Sequence, residues 1–207
     1  MTCRGQALAE FLIAFPLLVL LAFGLLQCAL LYQVRATLDH AALLAARAGA
    51  LHNGSPASMR AALASGLAPL FAAAPSLPGH AAALDKARRE TAADLATLTV
   101  LNPTRAAIAD FGRARLDGVA GRELPADTLG YRNPAPGAAS GLSVQDANLL
   151  QLRVRYCVRL IVPVIGPMIG AAVDAGNCAG PGLRGPRIPM QAEAVVRMQS
   201  PFYEANL

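Results

Sequence analysis

The chain has 207 residues, 55% of them hydrophobic and only 15% charged, with a formal net charge of +5 carried almost wholly by arginine. That balance is too apolar for an average soluble domain and too charged for a many-span membrane protein, which leaves one span on a folded body. Scattered arginines, 5% aromatic residues and no Trp provide neither the basic cluster nor the stacking platforms by which nucleic acid is bound, so nucleic acid is not expected as a partner.

From Phe11 to Leu31 the run FLIAFPLLVLLAFGLLQCALL holds no charge and a single amide. As a helix it extends about 30 Å, the hydrocarbon thickness of a bilayer. A secretory signal is normally shorter and ends at a small-x-small site. This run instead continues into YQVRATLDHAALLAARAGALH, where Leu31, Val34, Leu38, Ala41, Ala42, Ala45 and Ala48 share one helical face and Arg35 and Asp39 stand a turn apart on another. Residues 6–53 are therefore expected to form one long helix, spanning at about 11–31. It is stopped by Gly49 and by the turn residues Asn53, Gly54, Ser55 and Pro56. Arg4 favours a cytoplasmic N-terminus, while Arg35, Arg47 and Arg60 oppose it. The N-in orientation is preferred because the short N-terminal tail has no domain to translocate and the downstream cysteines suit an oxidising exterior.

Glu10 places a carboxylate at the start of this apolar helix, where full burial at mid-span would cost about 3 kcal/mol. Taken alone, it either marks the interface, helped by the helix dipole, or awaits a partner. Its surroundings, Arg4-Gly5-Gln6-Ala7-Leu8-Ala9-Glu10-Phe11, resemble the processing signature of type IV prepilins and especially of the TadE-like family. The resemblance implies that a prepilin peptidase removes the short leader 1–5 by cutting after Gly5. Gln6 would then carry a new amine one helical turn from Glu10, with Phe11 and the apolar helix following. It also implies that the glutamate meets the terminal amine of a neighbouring subunit, so that docking neutralises both charges and sets the register. Pro16 either kinks the span or is a harmless membrane proline.

Residues 54–207 are expected to form the exported body. SPASMRAALASGLAPLFAAA and HAAALDKARRETAADL read as two helices, the first capped by Ser55 with Pro56 in its first turn, separated by the breaker APSLPGH. TLTVL, Thr97 to Leu101, alternates as a strand, and NPTRAAIADFG starts a short helix with an Asn cap and a Pro. Gly118 to Gly141 is rich in turn formers and reads as a surface excursion with a short extended piece at Thr128 to Arg132.

Leu150 to Leu160 is the clearest strand, with Leu150, Leu152, Val154, Tyr156, Val158 and Leu160 inward and Gln151, Arg153, Arg155, Cys157 and Arg159 outward. Ile188 to Met198 alternates likewise, and the two should pair antiparallel. Between them IVPVIGPMIGAAV is apolar but short and punctuated by Pro163, Gly166, Pro167 and Gly170, which argues against a second span. It is read as a packed loop or helix, or as a surface lying against the membrane or a partner. Cys157 and Cys178 are a candidate disulfide, contributing about 3 kcal/mol in the chain-entropy model, or else two buried thiols.

The expected fold is thus α+β: a long N-terminal pilin-like transmembrane helix followed by a domain of helices packed on a small antiparallel sheet. LNPTRAA, ASGLSVQDANLLQLRVRYCVRLIVPVIG and RIPMQAEAVVRMQSP also resemble the bodies of longer TadE-like proteins. The resemblance implies a minor pilin or pseudopilin of the tight-adherence (Flp-type) pilus system. Its partners would be the membrane, a prepilin peptidase, other pilin-like subunits and the pilus-assembly machinery. It would cross the bacterial inner membrane once, N-terminus in the cytoplasm and body in the periplasm, and either enter the pilus or only assist assembly.

An unprocessed, membrane-anchored periplasmic scaffold or binding protein is the alternative. An enzyme is not expected. His40, His52 and His80 form no nucleophilic triad or HExxH, no phosphate-binding glycine loop is present, the cysteines lack zinc spacing, and Asp146 in SVQDANLL reads as a cap. No cofactor or metal is called for.

Overall fold

The computed structural model describes residues 6–92, 95–173, 178 and 185–207. Helix α1, Gln6–Leu51, runs without a break through the apolar segment and its amphipathic continuation. α2 (Pro56–Leu67), a 3-10 turn (Ala68–Phe71) and α3 (Leu77–Ala92) follow, then strand β1 (Ala96–Asn102), α4 (Arg105–Phe111), β2 (Arg113–Ala114) and β3 (Arg122–Leu124). After α5 (Val144–Ala147) come β4 (Leu149–Arg159), α6 (Ile165–Ala172), β5 (Arg187–Arg197) and β6 (Phe202–Tyr203). The architecture is α+β, with two antiparallel three-stranded sheets ordered β1-β4-β5 and β2-β3-β6.

The described residues divide into two compact units. One is drawn from Met1–Arg35 and Cys157–Met190, the other from Ala36–Tyr156 and Gln191–Leu207.

In the larger unit, the C-terminal turns of α1 bury Leu38, Ala41, Ala42, Ala45 and Ala46, the three- and four-residue spacing of a helix with one apolar stripe. α2 presents Met59, Leu63 and Leu67 to the same core, and β4 adds Leu150, Leu152 and Val154. Ala residues on α1 and Gly66 on α2 let the helices approach closely: a Cβ on Gly66 would lie 2.6 Å from Ala41 Cα. Ser55 caps α2, its hydroxyl accepting from Ser58 N–H at 3.5 Å, and Pro56 occupies the first turn.

β1 pairs with β4 in antiparallel register from Ala96 opposite Tyr156 to Val100 opposite Leu152. Arg153 and Glu193 link β4 to β5 on the outward face at 2.7 Å. The end of α1 is locked to the C-terminal segment. The carbonyl of Ala50 accepts the N–H groups of Gln199 and Ser200, and Asn53 N–H donates to Ser200 Oγ at 2.9 Å. Gly54, at φ +73°, passes against Phe202 so closely that a Cβ would stand 2.1 Å from its ring.

Three local expectations are corrected. The cap of α4 is Thr104, whose Oγ1 accepts from Ala107 N–H at 3.2 Å. Asn102 instead closes β1, its amide donating to the carbonyls of Asp146, Ala147 and Leu149. The extended piece expected at Thr128 to Arg132 is a 3-10 turn, Leu129–Tyr131. The strand in that stretch is β3, whose Glu123 and Leu124 are buried between β2 and β6. Finally, α3 begins at Leu77 inside the expected breaker, because Ser76 Oγ accepts Gly79 N–H at 3.2 Å and Pro78 fits a helix's first turn.

Candidate functional site

The sequence directs attention first to the head of α1. Gln6 is its first helical residue, while Gly5 lies outside the described residues. Glu10 is exposed, and Phe11 beside it is 59% exposed and stacked on Phe15 with ring centroids 5.1 Å apart. The exposed side chains of Leu8, Leu12, Ile13, Leu17, Leu18, Leu21 and Leu25 continue around every side of the helix. A helix apolar all round belongs in a large core or in lipid, and among the described residues these first turns are left exposed. Among the described residues it is the one helix long and apolar enough to cross a membrane. Pro16 is accommodated inside it, leaving the Leu12 carbonyl without its usual i+4 donor.

The TadE-like protein family model matches residues 5–47. The TadE-like segment thus opens at the expected cleavage glycine, takes in Glu10 and Phe11, and closes in the last turns of α1. No curated protein and no solved structure matches the chain. The match covers about a fifth of the chain and takes in most of the helix that is long and apolar enough to cross a membrane. Residues 48–207, including the body phrases that resemble longer TadE-like proteins, lie beyond the matched segment.

Within the unit that holds the first part of the TadE-like segment, the Cys157–Cys178 bond is present, with Cα atoms 5.4 Å apart. Cys157 is therefore buried although the strand's alternation points it outward. The lobe it closes is self-packed: Leu160 N–H donates to Pro186 O at 3.0 Å, Arg187 donates to Cys157 O at 2.9 Å, and Gly170 lies where a Cβ would stand 2.6 Å from Pro186.

Gln27, the lone amide of the apolar run, is buried to 1% exposure, and its Oε1 accepts Val162 N–H at 3.1 Å. Reading from the sequence did not assign Gln27 this role. The signal available was an amide inside lipid-length apolar sequence, where an unsatisfied polar group is costly.

In the larger unit, polar side chains organise loops. Asp110 accepts from Ser140 Oγ and Ser140 N–H, each at 2.7 Å, and from Ala139 N–H at 3.1 Å. The Ser140 hydroxyl, then its N–H, hold the Asp110 carboxyl below the ordinary carboxylate range. Arg113 satisfies the buried Glu123 at 2.9 Å and also meets Asp127 at 3.0 Å. These carboxylates, Glu123 first, raise its guanidinium above the usual arginine value. Each arrangement pairs or caps its charges. Among the described residues, no cluster of three or more His, Cys, Asp or Glu side chains is placed to hold a metal ion.

Proposed function

We propose that this chain is a pilin-like subunit, a minor pilin or pseudopilin, required to assemble a tight-adherence type IV pilus or related secretion apparatus. The observation that carries this reading is the family match over residues 5–47, coincident with a helix whose first turns expose apolar side chains on every side below a single carboxylate. In this reading a prepilin peptidase cuts between Gly5 and Gln6. Glu10 then pairs with the new amine of a neighbouring subunit as that subunit enters the bilayer-embedded bundle, and Phe11 packs beside it. The helix crosses the inner membrane once with its N-terminus cytoplasmic, and the disulfide-closed body lies in the periplasm, where oxidation is sustained.

Co-expression with a prepilin peptidase, followed by N-terminal sequencing of the purified chain, tests the processing step. The expected N-terminus is Gln6. An intact Met1, under conditions where a known prepilin is cut, would instead favour a permanently anchored periplasmic scaffold.

A further inference from the structure

We infer that the disulfide-closed lobe, Leu160–Val173, is a second membrane contact that rests on the outer bilayer interface beside α1, with Ile161, Val164 and Met168 facing the lipid. The inference takes from the proposed function only that α1 crosses the bilayer with Glu10 near the inner boundary.

The depth follows from helix geometry. At about 1.5 Å per residue the rise from Glu10 to Gln27 is about 26 Å, against a hydrocarbon core of about 30 Å. Gln27 therefore sits at the outer edge of that core, and its Oε1 is bound to Val162 N–H at 3.1 Å. Whatever surrounds Val162 is carried to the same level. A lobe placed there must offer the interface an apolar, uncharged surface, because charged or open backbone groups at that depth cost several kcal/mol.

Its composition meets this demand. Leu160 to Val173 contains no charged residue, and Ile161, Val164, Met168 and Val173 are 71%, 59%, 53% and 43% exposed. Pro163 and Pro167 carry no N–H, and the N–H groups of Ile165, Gly166, Met168 and Val173 are all bonded within the lobe. Val164 holds φ +67°, a conformation that β-branched residues rarely adopt, yet its side chain remains outside the lobe's core. In the same unit, α1 leaves Leu25 and Leu26, the residues just before Gln27, exposed, so the helix offers apolar surface at that level too. Arg159, exposed at the lobe's base, supplies a cation for lipid phosphate just beyond the apolar residues. A soluble partner protein would need none of this matching of depth to bilayer thickness.

The chain has no Trp, so one introduced indole reports without background. Full-length Met168→Trp and, separately, Ile161→Trp would be reconstituted in phosphatidylethanolamine–phosphatidylglycerol vesicles whose acyl chains carry bromine at shallow or deep positions. Leu18→Trp serves as the span control and Tyr131→Trp as the exposed control, and mass spectrometry of the Cys157–Cys178 peptide verifies the folded lobe.

The expected result is blue-shifted emission from both lobe indoles, quenched most by shallow bromines, at about 5–10 Å below the headgroup boundary. Leu18→Trp should be quenched by deep bromines and Tyr131→Trp by neither. Unquenched lobe indoles beside a quenched Leu18→Trp would overturn the inference and leave the pilin-like reading standing. Lobe indoles that are blue-shifted but unquenched overturn it equally, since protein rather than lipid would then cover them. An unquenched Leu18→Trp would remove the membrane anchor, and both readings with it.

Discussion

Glu10 and Asp110 are carboxylates in different settings, one on the apolar helix and one in the body. Glu10 stands exposed at the head of an apolar helix, followed directly by Phe11, Leu12 and Ile13, and in the proposed assembly the amine of the adjoining subunit compensates it. Replacing it by alanine removes the acid but leaves that amine uncompensated in lipid, a cost of about 3–5 kcal/mol per docking step. Glu10→Ala should therefore reduce assembled pili by about a hundredfold or more, counted by electron microscopy, while the Cys157–Cys178 bond still forms. Normal piliation would show that the glutamate sets no register.

Asp110 is held by hydrogen bonds from Ser140 and Ala139. Because its folded-state pKa is depressed, its contribution is complete above the ordinary carboxylate pKa of about 3.9 and is lost as pH falls through the lowered value. Hydrogen exchange at Ala139 and Ser140, corrected for intrinsic rates, should accelerate over that acid range in the native chain. In Asp110→Asn it should already be fast at neutral pH. Equal protection in the two proteins would show that the carboxylate does not hold the loop.

At the scale of elements, the crossing of α1 and α2 depends on side chains that are absent. Ala41, Ala42, Ala45 and Ala46 make a low ridge on α1, and Gly66 on α2 meets Ala41 where even a methyl group would stand 2.7 Å from the Ala41 Cβ. Backbone lies on the other side of that contact, so relief requires the helices to part. Gly66→Ala should cost about 1–3 kcal/mol despite its better helix propensity, read as a lowered Tm of the detergent-solubilised chain by circular dichroism. A raised Tm would mean that the helices yield without loss.

The second sheet depends on a distant segment rather than on local pattern. β3 is three residues long and carries no alternation that a local pattern could detect. It exists because Glu123 and Leu124 pair with Tyr203 and Phe202, brought in from the far end of the chain.

For the whole molecule, the proposed function places the body on the periplasmic side of the membrane. Tyr131 is 96% exposed, so Tyr131→Cys, in a chain that also carries Cys3→Ser and Cys28→Ser, should be labelled by a membrane-impermeant maleimide in intact spheroplasts to the same extent as after lysis. Labelling only after lysis would place the body in the cytoplasm and remove the pilin-like topology.

Much of this architecture is legible along the chain because it is local and periodic. The uncharged run of α1, the amphipathic stripe from Leu38, the Ser55 cap and the inward face of β4 each arise from spacing within one element. The head motif around Glu10 is likewise contiguous. What tertiary structure alone decided are the pairings between distant segments: Asn102 used as a clamp, β3 recruited between β2 and β6, and Asp110 holding Ser140. Gln27 belongs with them, since its partner is a backbone N–H at Val162. No residue's own pattern encodes which remote backbone group will satisfy it, whereas a helix or strand face is set by neighbours three, four or two positions away.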